Sequence, residues 1–258
     1  MVSMRFQSCF EKLKSTKKMA FIPFFVLGYP DCSFCIADIK RAIMSGADAL
    51  EFGIPFSDPI ADGIVIQEAA KSALDEGVTV SDCLKIIQSV RAEYPIIPIG
   101  LLVYANLVEH MGLENFYAAF EQAGVDAVLI ADVPLDESLP YQQAAQKEGL
   151  HHIFMTTPSC SENTLQQISA RASGYIYVIS RQGVTGVDKE IQFNRLKEQI
   201  EILERMTVLP KLIGFGVSKK DHILKVKNAG GDGVIVGSYL IEKRKNISML
   251  VKDFKLMC

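Results

Sequence analysis

Short apolar runs punctuate the chain, and longer stretches of mixed polarity separate them. The runs are "AFIPFFVL" (20–27), "ALEFG" (49–53), "PIGLLVY" (98–104), "AVLIAD" (127–132), "HIFM" (152–155), "YIYVIS" (175–180), "KLIGF" (211–215) and "GVIVG" (233–237). Each has strand length and is rich in β-branched or aromatic residues, so eight strands are expected. Helical spacing fills the gaps: Leu84, Ile87 and Val90 follow Ser81, read as an N-cap, and Phe193, Leu196, Ile200 and Leu203 share one face. Phe6, Phe10 and Leu13 mark an extra helix ahead of the first strand, and Ile247, Leu250, Val251 and Phe254 mark a closing one.

Three of the handovers from helix to strand resemble one another: "SGADALEFG" (45–53), "AGVDAVLIAD" (123–132) and "AGGDGVIVG" (229–237). In each, a glycine able to adopt the left-handed conformation closes the helix, and an aspartate precedes a buried strand. Eight strand–helix units predict a closed α/β barrel, a (β/α)₈ TIM barrel with an additional N-terminal helix, as a single domain over 1–258. The continuous apolar character of most strands fits a parallel sheet covered on both faces. An open doubly wound sheet would carry a glycine-rich turn after its first strand, and "FFVLGYPD" has one glycine there.

Within this frame "DALEFGIPFSDPIADG" (48–63) sets four carboxylates, Asp48, Glu51, Asp58 and Asp62, among apolar residues. Alternation along a strand puts Leu50 and Phe52 on one side and Glu51 between Ala49 and Gly53 on the other. The large apolar pair belongs against the helices, so Glu51 points into the barrel near its C-terminal rim, where barrel active sites are built. No basic residue on the second, fourth or eighth strand is placed to pair with it, which favours chemistry over a structural ion pair. Asp58 and Asp62 follow in a proline-restricted loop, where turn chemistry accounts for one aspartate better than for two.

Glycines gather after strands six, seven and eight, in "GVTG" (183–186), "GFG" (214–216) and "GS" (237–238). Their backbone amides, with Ser238 opening a short helix, form a cradle for a phosphate dianion at the usual phosphate position of a barrel. The net charge of −3 gives no basic footprint for nucleic acid, and "MAFIPFFVL" is too short to span a bilayer, so a cytoplasmic protein is expected. Six cysteines are scattered without a framework of short spacings and read as free thiols. "CSFC" (32–35) lacks the two further ligands a zinc site needs, so no metal is expected.

Those motifs carry a resemblance. "LEFGIPFSDPIADG" resembles the signature of the tryptophan synthase alpha subunit family, and "FIPFFVLGYPD", "PIGLLVYANL", "GVDAVLIADVP", "SRQGVTG", "GFGVS" and "GDGVIVGS" resemble its other blocks in the same order. The resemblance covers nearly the whole chain. It implies cleavage of indole-3-glycerol phosphate to indole and glyceraldehyde 3-phosphate. It also implies no cofactor in this chain and a pyridoxal-phosphate (PLP) beta subunit as partner, in an alpha-beta-beta-alpha heterotetramer.

By that resemblance Glu51 is the catalytic glutamate and Asp62 the aspartate at the indole N–H. Phe24, Leu102, Leu129, Tyr177 and Thr185 surround the substrate, Gly186, Gly216, Gly237 and Ser238 hold the phosphate, and Asp58 communicates with the beta subunit. The chain departs from the family at Val26, where threonine is common, at Ile64, where proline usually follows "ADG", and at Gln182, where a small residue precedes "GVTG". These departures motivate an alternative, a weakly catalytic subunit that binds and activates beta. A sugar-phosphate isomerase would explain the phosphate cradle but not the apolar pocket.

Overall fold

In the computed structural model, which describes residues 2–180, 193–214 and 216–258, the alternation expected from the runs is present. Helix α1 (Arg5–Ser15) precedes β1 (Ala20–Val26), α2 (Cys32–Met44), β2 (Leu50–Gly53), α3 (Ile64–Asp75) and α4 (Val80–Glu93). Then come β3 (Ile99–Val103), α5 (Ala105–Met111), α6 (Leu113–Ala123), β4 (Ala127–Ile130), α7 (Leu139–Lys147) and β5 (His151–Thr156). The chain ends with α8 (Glu162–Arg171), β6 (Ile176–Ile179), α9 (Phe193–Met206), β7 (Lys211–Gly214), α10 (Lys220–Asn228), β8 (Gly233–Val236), α11 (Ser238–Glu242) and α12 (Ile247–Lys255). The eight strands pair in parallel and in sequence order, and β8 closes on β1.

Two apolar clusters follow from the two-residue period of the strands. Leu50, Phe52, Leu101, Val103, Val128 and Val178 face outward and pack beneath the helices with Ile39, Ile87 and Phe116. Phe24, Val26, Leu102, Leu129, Tyr177 and Ile235 face inward, and Phe6 and Leu13 of α1 belong to this inner cluster. Burying a side chain such as Phe52, with no exposure left, stabilises the fold by about 2–3 kcal/mol. A one-residue slip of β2 would therefore drive Glu51 into the shell and Phe52 into the interior, so the register is strongly held.

The helix-closing glycines behave as the repeated handovers predict: Gly46, Gly124 and Gly230 all have positive φ, at 106°, 100° and 90°. The aspartate that follows ties the start of a strand in all three handovers; in the third, Asp232 accepts from the Lys211 amide of β7 at 2.8 Å. Asp48 accepts from the Phe21 amide at 2.8 Å and pairs with Lys255 of α12 at 2.5 Å. Asp126 accepts from the Ile99 amide and pairs with Arg5 and Arg91 at the N-terminal end of the barrel. Asp48 is thus a structural acid, one of the four in the 48–63 stretch.

One expected helix start is corrected. The N-cap of α4 is Thr79, not Ser81. Thr79 and Asp82 bond reciprocally, Thr79 Oγ1 accepting from the Asp82 amide and the Asp82 carboxylate accepting from the Thr79 amide. Two orphan amides are satisfied by that box, which Ser81 could not achieve from inside the first turn. Of the C-x-x-C pair, Cys35 is buried with Sγ 3.7 Å from the Val26 carbonyl, while Cys32 is partly exposed.

Candidate active site

Glu51 sits in β2 with Phe24 of β1 and Gly100 of β3 as its register neighbours. It faces the barrel interior, as alternation predicts, and is only 2% exposed. Gly100 leaves room beside it, because a Cβ there would lie 3.0 Å from the hydroxyl of Tyr175, another inward side chain. Both Glu51 carboxyl oxygens are buried without a hydrogen-bond partner among the described residues. An ionised carboxylate is costly in such a place. Burial, reinforced by the nearby Asp62 charge, pushes its pKa up to about 8.

Asp62 comes from the loop after β2, ahead of Gly63, the N-cap of α3. It is 6% exposed, and its Oδ2 accepts a hydrogen bond from the Tyr104 hydroxyl at 2.7 Å. Burial raises its pKa to about 6 against the lowering effect of that hydrogen bond. Gln67 of α3 donates to the Asp62 carbonyl at 2.7 Å, which fastens the loop end to the helix. The two acids thus have separated pKa values. Near pH 7 Glu51 holds its proton while Asp62 is charged, the arrangement that lets one carboxyl donate and the other stabilise positive charge.

The predicted pocket residues are brought together. Phe24, Leu102, Leu129 and Tyr177 are all buried in the inner cluster. Phe24 is fitted closely: a Cβ on Gly53 would lie 2.6 Å from its Cζ, and one on Gly237 would lie 3.1 Å from its Cδ1. Its ring therefore spans from the end of β2 to the end of β8, with the acid on one side and the expected phosphate position on the other. Tyr177 is accommodated by Gly214, where a Cβ would overlap the phenol at 2.1 Å. Packing alone is enough to require a glycine there.

At the expected phosphate end, Gly216 follows β7 with φ 87°, and His222 Nδ1 lies 3.0 Å from its carbonyl. Gly237 caps α11, whose first residue is Ser238. Thr185, Gly186 and Gln182 lie outside the described residues. Asp58 is exposed at the rim beside Ser57, whose hydroxyl bonds its carboxylate. Val26 is buried on the inner face, and Ile64, the first residue of α3, is 67% exposed. Lys211 opens β7 at the opposite end of the strand from the acids, with Nζ 3.6 Å from Asp232.

Tyr104 was not singled out from the sequence. The signal was there in its parity with Gly100 and Leu102, which places it inward; its partner was not, because the 54–62 loop returns to it only in three dimensions.

Comparison with known proteins gives a consistent picture. The family model described as "Tryptophan synthase alpha chain" matches residues 10–254. The tryptophan synthase alpha chain of Francisella tularensis (strain FSC 198) is 46% identical over 243 residues, covering 94% of this chain and 90% of its own length. That of Vibrio vulnificus (strain YJ016) is 44% identical over 238 residues, covering 92% and 88%. Among solved structures, tryptophan synthase subunit alpha from Legionella pneumophila superposes with a TM-score of 0.88 at 30% identity, covering 98% of this chain and 97% of that one.

Proposed function

This chain belongs to the tryptophan synthase alpha chain family, a lyase family that cleaves indole-3-glycerol phosphate, and from that premise we propose that Glu51 and Asp62 carry the cleavage. The single observation that supports this most is the Glu51 carboxyl group, inward-facing and buried with no hydrogen-bond partner among the described residues, its pKa pushed up to about 8 by burial and the nearby Asp62 charge.

Breaking a carbon–carbon bond leaves an electron pair that needs a sink, and the indole ring can be that sink. Glu51 gives its proton to indole C3, forming a C–H bond and leaving positive charge at the ring nitrogen. Asp62 accepts a hydrogen bond from the N–H and stabilises that charge as it develops. The Glu51 carboxylate then takes the proton of the hydroxyl on the carbon attached to C3. The O–H electrons form the aldehyde carbonyl, the carbon–carbon bond breaks, and its pair returns to the ring and neutralises it. Glu51 is protonated again at the end, so no external acid or reductant is consumed.

Phe24, Leu102, Leu129 and Tyr177, with Thr185, would hold the indole. Gly216, Gly237 and Ser238, with Gly186, would hold the phosphate, which fixes C3 relative to Glu51. The partner is a PLP-dependent beta subunit, in an alpha-beta-beta-alpha assembly in the cytoplasm, with 1–258 acting as one barrel domain and binding no cofactor of its own. Asp58, exposed beside the solvent-facing Ile60 and Ile64, is the residue through which the two subunits communicate. Among the described residues no helix is long and apolar enough to cross a membrane.

A weakly catalytic alpha subunit that binds and activates beta is not favoured, given the family match and the presence of both acids, each buried. Nor is a sugar-phosphate isomerase, given the family match. The test is indole release from indole-3-glycerol phosphate with beta subunit present. Glu51→Gln is expected to lower kcat by about 10²–10⁴-fold, as for loss of a general acid–base group. Unchanged release by this variant would overturn the assignment.

A further inference from the structure

Tyr104 is the residue after β3 and the N-cap of α5. Its backbone is extended, φ −108° and ψ 146°, so the strand's alternation continues through it and its side chain shares the inner side with Gly100 and Leu102. The base of this side chain is fixed. The next amide, that of Ala105, donates to the Asp132 carboxylate after β4 at 2.8 Å, and the Tyr104 carbonyl accepts from Leu107 at 3.1 Å. From that anchored position the side chain reaches the acidic loop at three points. Its ring stacks on Phe56 with centroids 5.2 Å apart and planes inclined by 25°. Its hydroxyl accepts from the Ala61 amide at 3.2 Å and donates to Asp62 Oδ2 at 2.7 Å.

We propose that Tyr104 is the positioning residue of the site: its ring and hydroxyl pin the 54–62 loop at Phe56 and Ala61, and its proton fixes the Asp62 carboxylate through Oδ2. This rests on the reading of Asp62 as the acid that stabilises charge on the substrate nitrogen. A carboxylate held through Oδ2 cannot rotate freely, so Oδ1 is held in one direction. The hydroxyl is used in both senses, as donor and as acceptor, which a buried phenol can do without losing its proton. Burial and the Asp62 charge push its pKa far above the ordinary range, so it stays a donor throughout the accessible pH range. Among the described residues, the charged and titratable groups around the pair are Glu51 on β2 and Tyr177 on β6, which interact with Asp62, and Asp132 after β4, which acts on Tyr104.

The ring alone would do part of this work, and Tyr104→Phe separates the two parts because it keeps the stack on Phe56. In the complex with beta subunit, Tyr104→Phe is expected to lower kcat for indole release at least tenfold while KM stays within threefold. The acid limb of the kcat/KM profile is expected to move to higher pH, since a hydrogen bond that favoured ionised Asp62 is gone. A non-cleavable indolyl alkyl phosphate provides the second readout. Tyr104→Phe should weaken its binding in the parent protein about two- to threefold, in step with KM, and have no effect in an Asp62→Asn background, where there is no carboxylate to position. A kcat within twofold of the parent, or the same loss of analogue binding in both backgrounds, overturns the proposal. If Asp62→Asn itself retains full kcat, the reading of Asp62 fails instead, and the two failures are told apart by that single variant.

Discussion

Two buried acids with different pKa values make a pH prediction with a definite sign. In the proposed mechanism the active form has Asp62 ionised and Glu51 protonated, so kcat/KM should fall below about pH 6, where Asp62 gains a proton, and above about pH 8, where Glu51 loses its own. A pH–rate profile with beta subunit present checks both limbs, and Asp62→Asn should remove the acid one. The same burial costs stability. Glu51 binds its proton more tightly folded than unfolded, so between about pH 4.5, the ordinary value, and about pH 8 the unfolded chain has the greater tendency to ionise, and stability declines as pH rises. Glu51→Gln removes that penalty. It is expected to be more thermostable than the parent by an amount that grows from pH 5 to pH 8, measured by thermal unfolding at the two pH values. A stabilised variant with lost activity is the signature of a group kept for chemistry at the expense of the fold. The glycines around the pocket give a second residue-scale prediction. Gly53→Ala would place a Cβ against the Phe24 ring and displace it from the pocket, so KM should rise about tenfold with the fold retained, on the scale of overpacking costs of 1–3 kcal/mol.

Strands and helices divide the labour between the two ends of the barrel. The C-terminal end carries Glu51, Asp62 and Tyr104. The opposite end is sealed by α1 and by Asp126, wholly buried, which takes Arg5 at 2.7 Å, Arg91 at 2.9 Å and the Ile99 amide at 2.8 Å. Removing one partner of such a network leaves uncompensated buried charge, so Asp126→Ala is expected to cost about 3–5 kcal/mol in denaturant unfolding. KM and kcat measured below the shifted melting point should stay close to the parent values, because the residues proposed to hold substrate lie toward the other end. Elements were also the scale at which the sequence was most readable. The position of Glu51 could be read because a four-residue strand with two large apolar side chains has only one way to face. The start of α4 could be misread because Ser81 and Thr79 are both good caps, and the choice falls to Asp82, whose reciprocal bond exists only with Thr79. Gly214 looked like part of the phosphate cradle, yet the demand for it comes from Tyr177 on the neighbouring strand, a contact that no local pattern encodes. Tyr104 illustrates the same limit, since its face was legible and its carboxylate partner was not.

At the scale of the whole molecule, the proposed function gives the loop that carries Asp62 a second role, as part of the surface the partner covers. Asp58 is exposed, and Ile60 and Ile64 are 71% and 67% exposed, so one short segment has an acid buried at one end and solvent-facing apolar and acidic groups along its length. Apolar side chains in such a place gain by being covered, and a contact that holds the loop also holds Asp62 in place against Tyr104. Binding of a beta subunit should therefore raise the rate of indole release, by favouring the loop arrangement in which Asp62 faces substrate. Asp58→Asn is expected to reduce that increase about tenfold, while indole release by the isolated chain stays within twofold of the parent. The effect of Asp58 should weaken at high salt, because an exposed charge is screened within a Debye length of about 8 Å at physiological ionic strength. Titrating beta subunit into each protein at low and high salt, with indole release as the readout, checks all of this. If Asp58→Asn slows the isolated chain as much as the complex, Asp58 shapes the site itself, and the loop is then an internal brace instead of a line of communication.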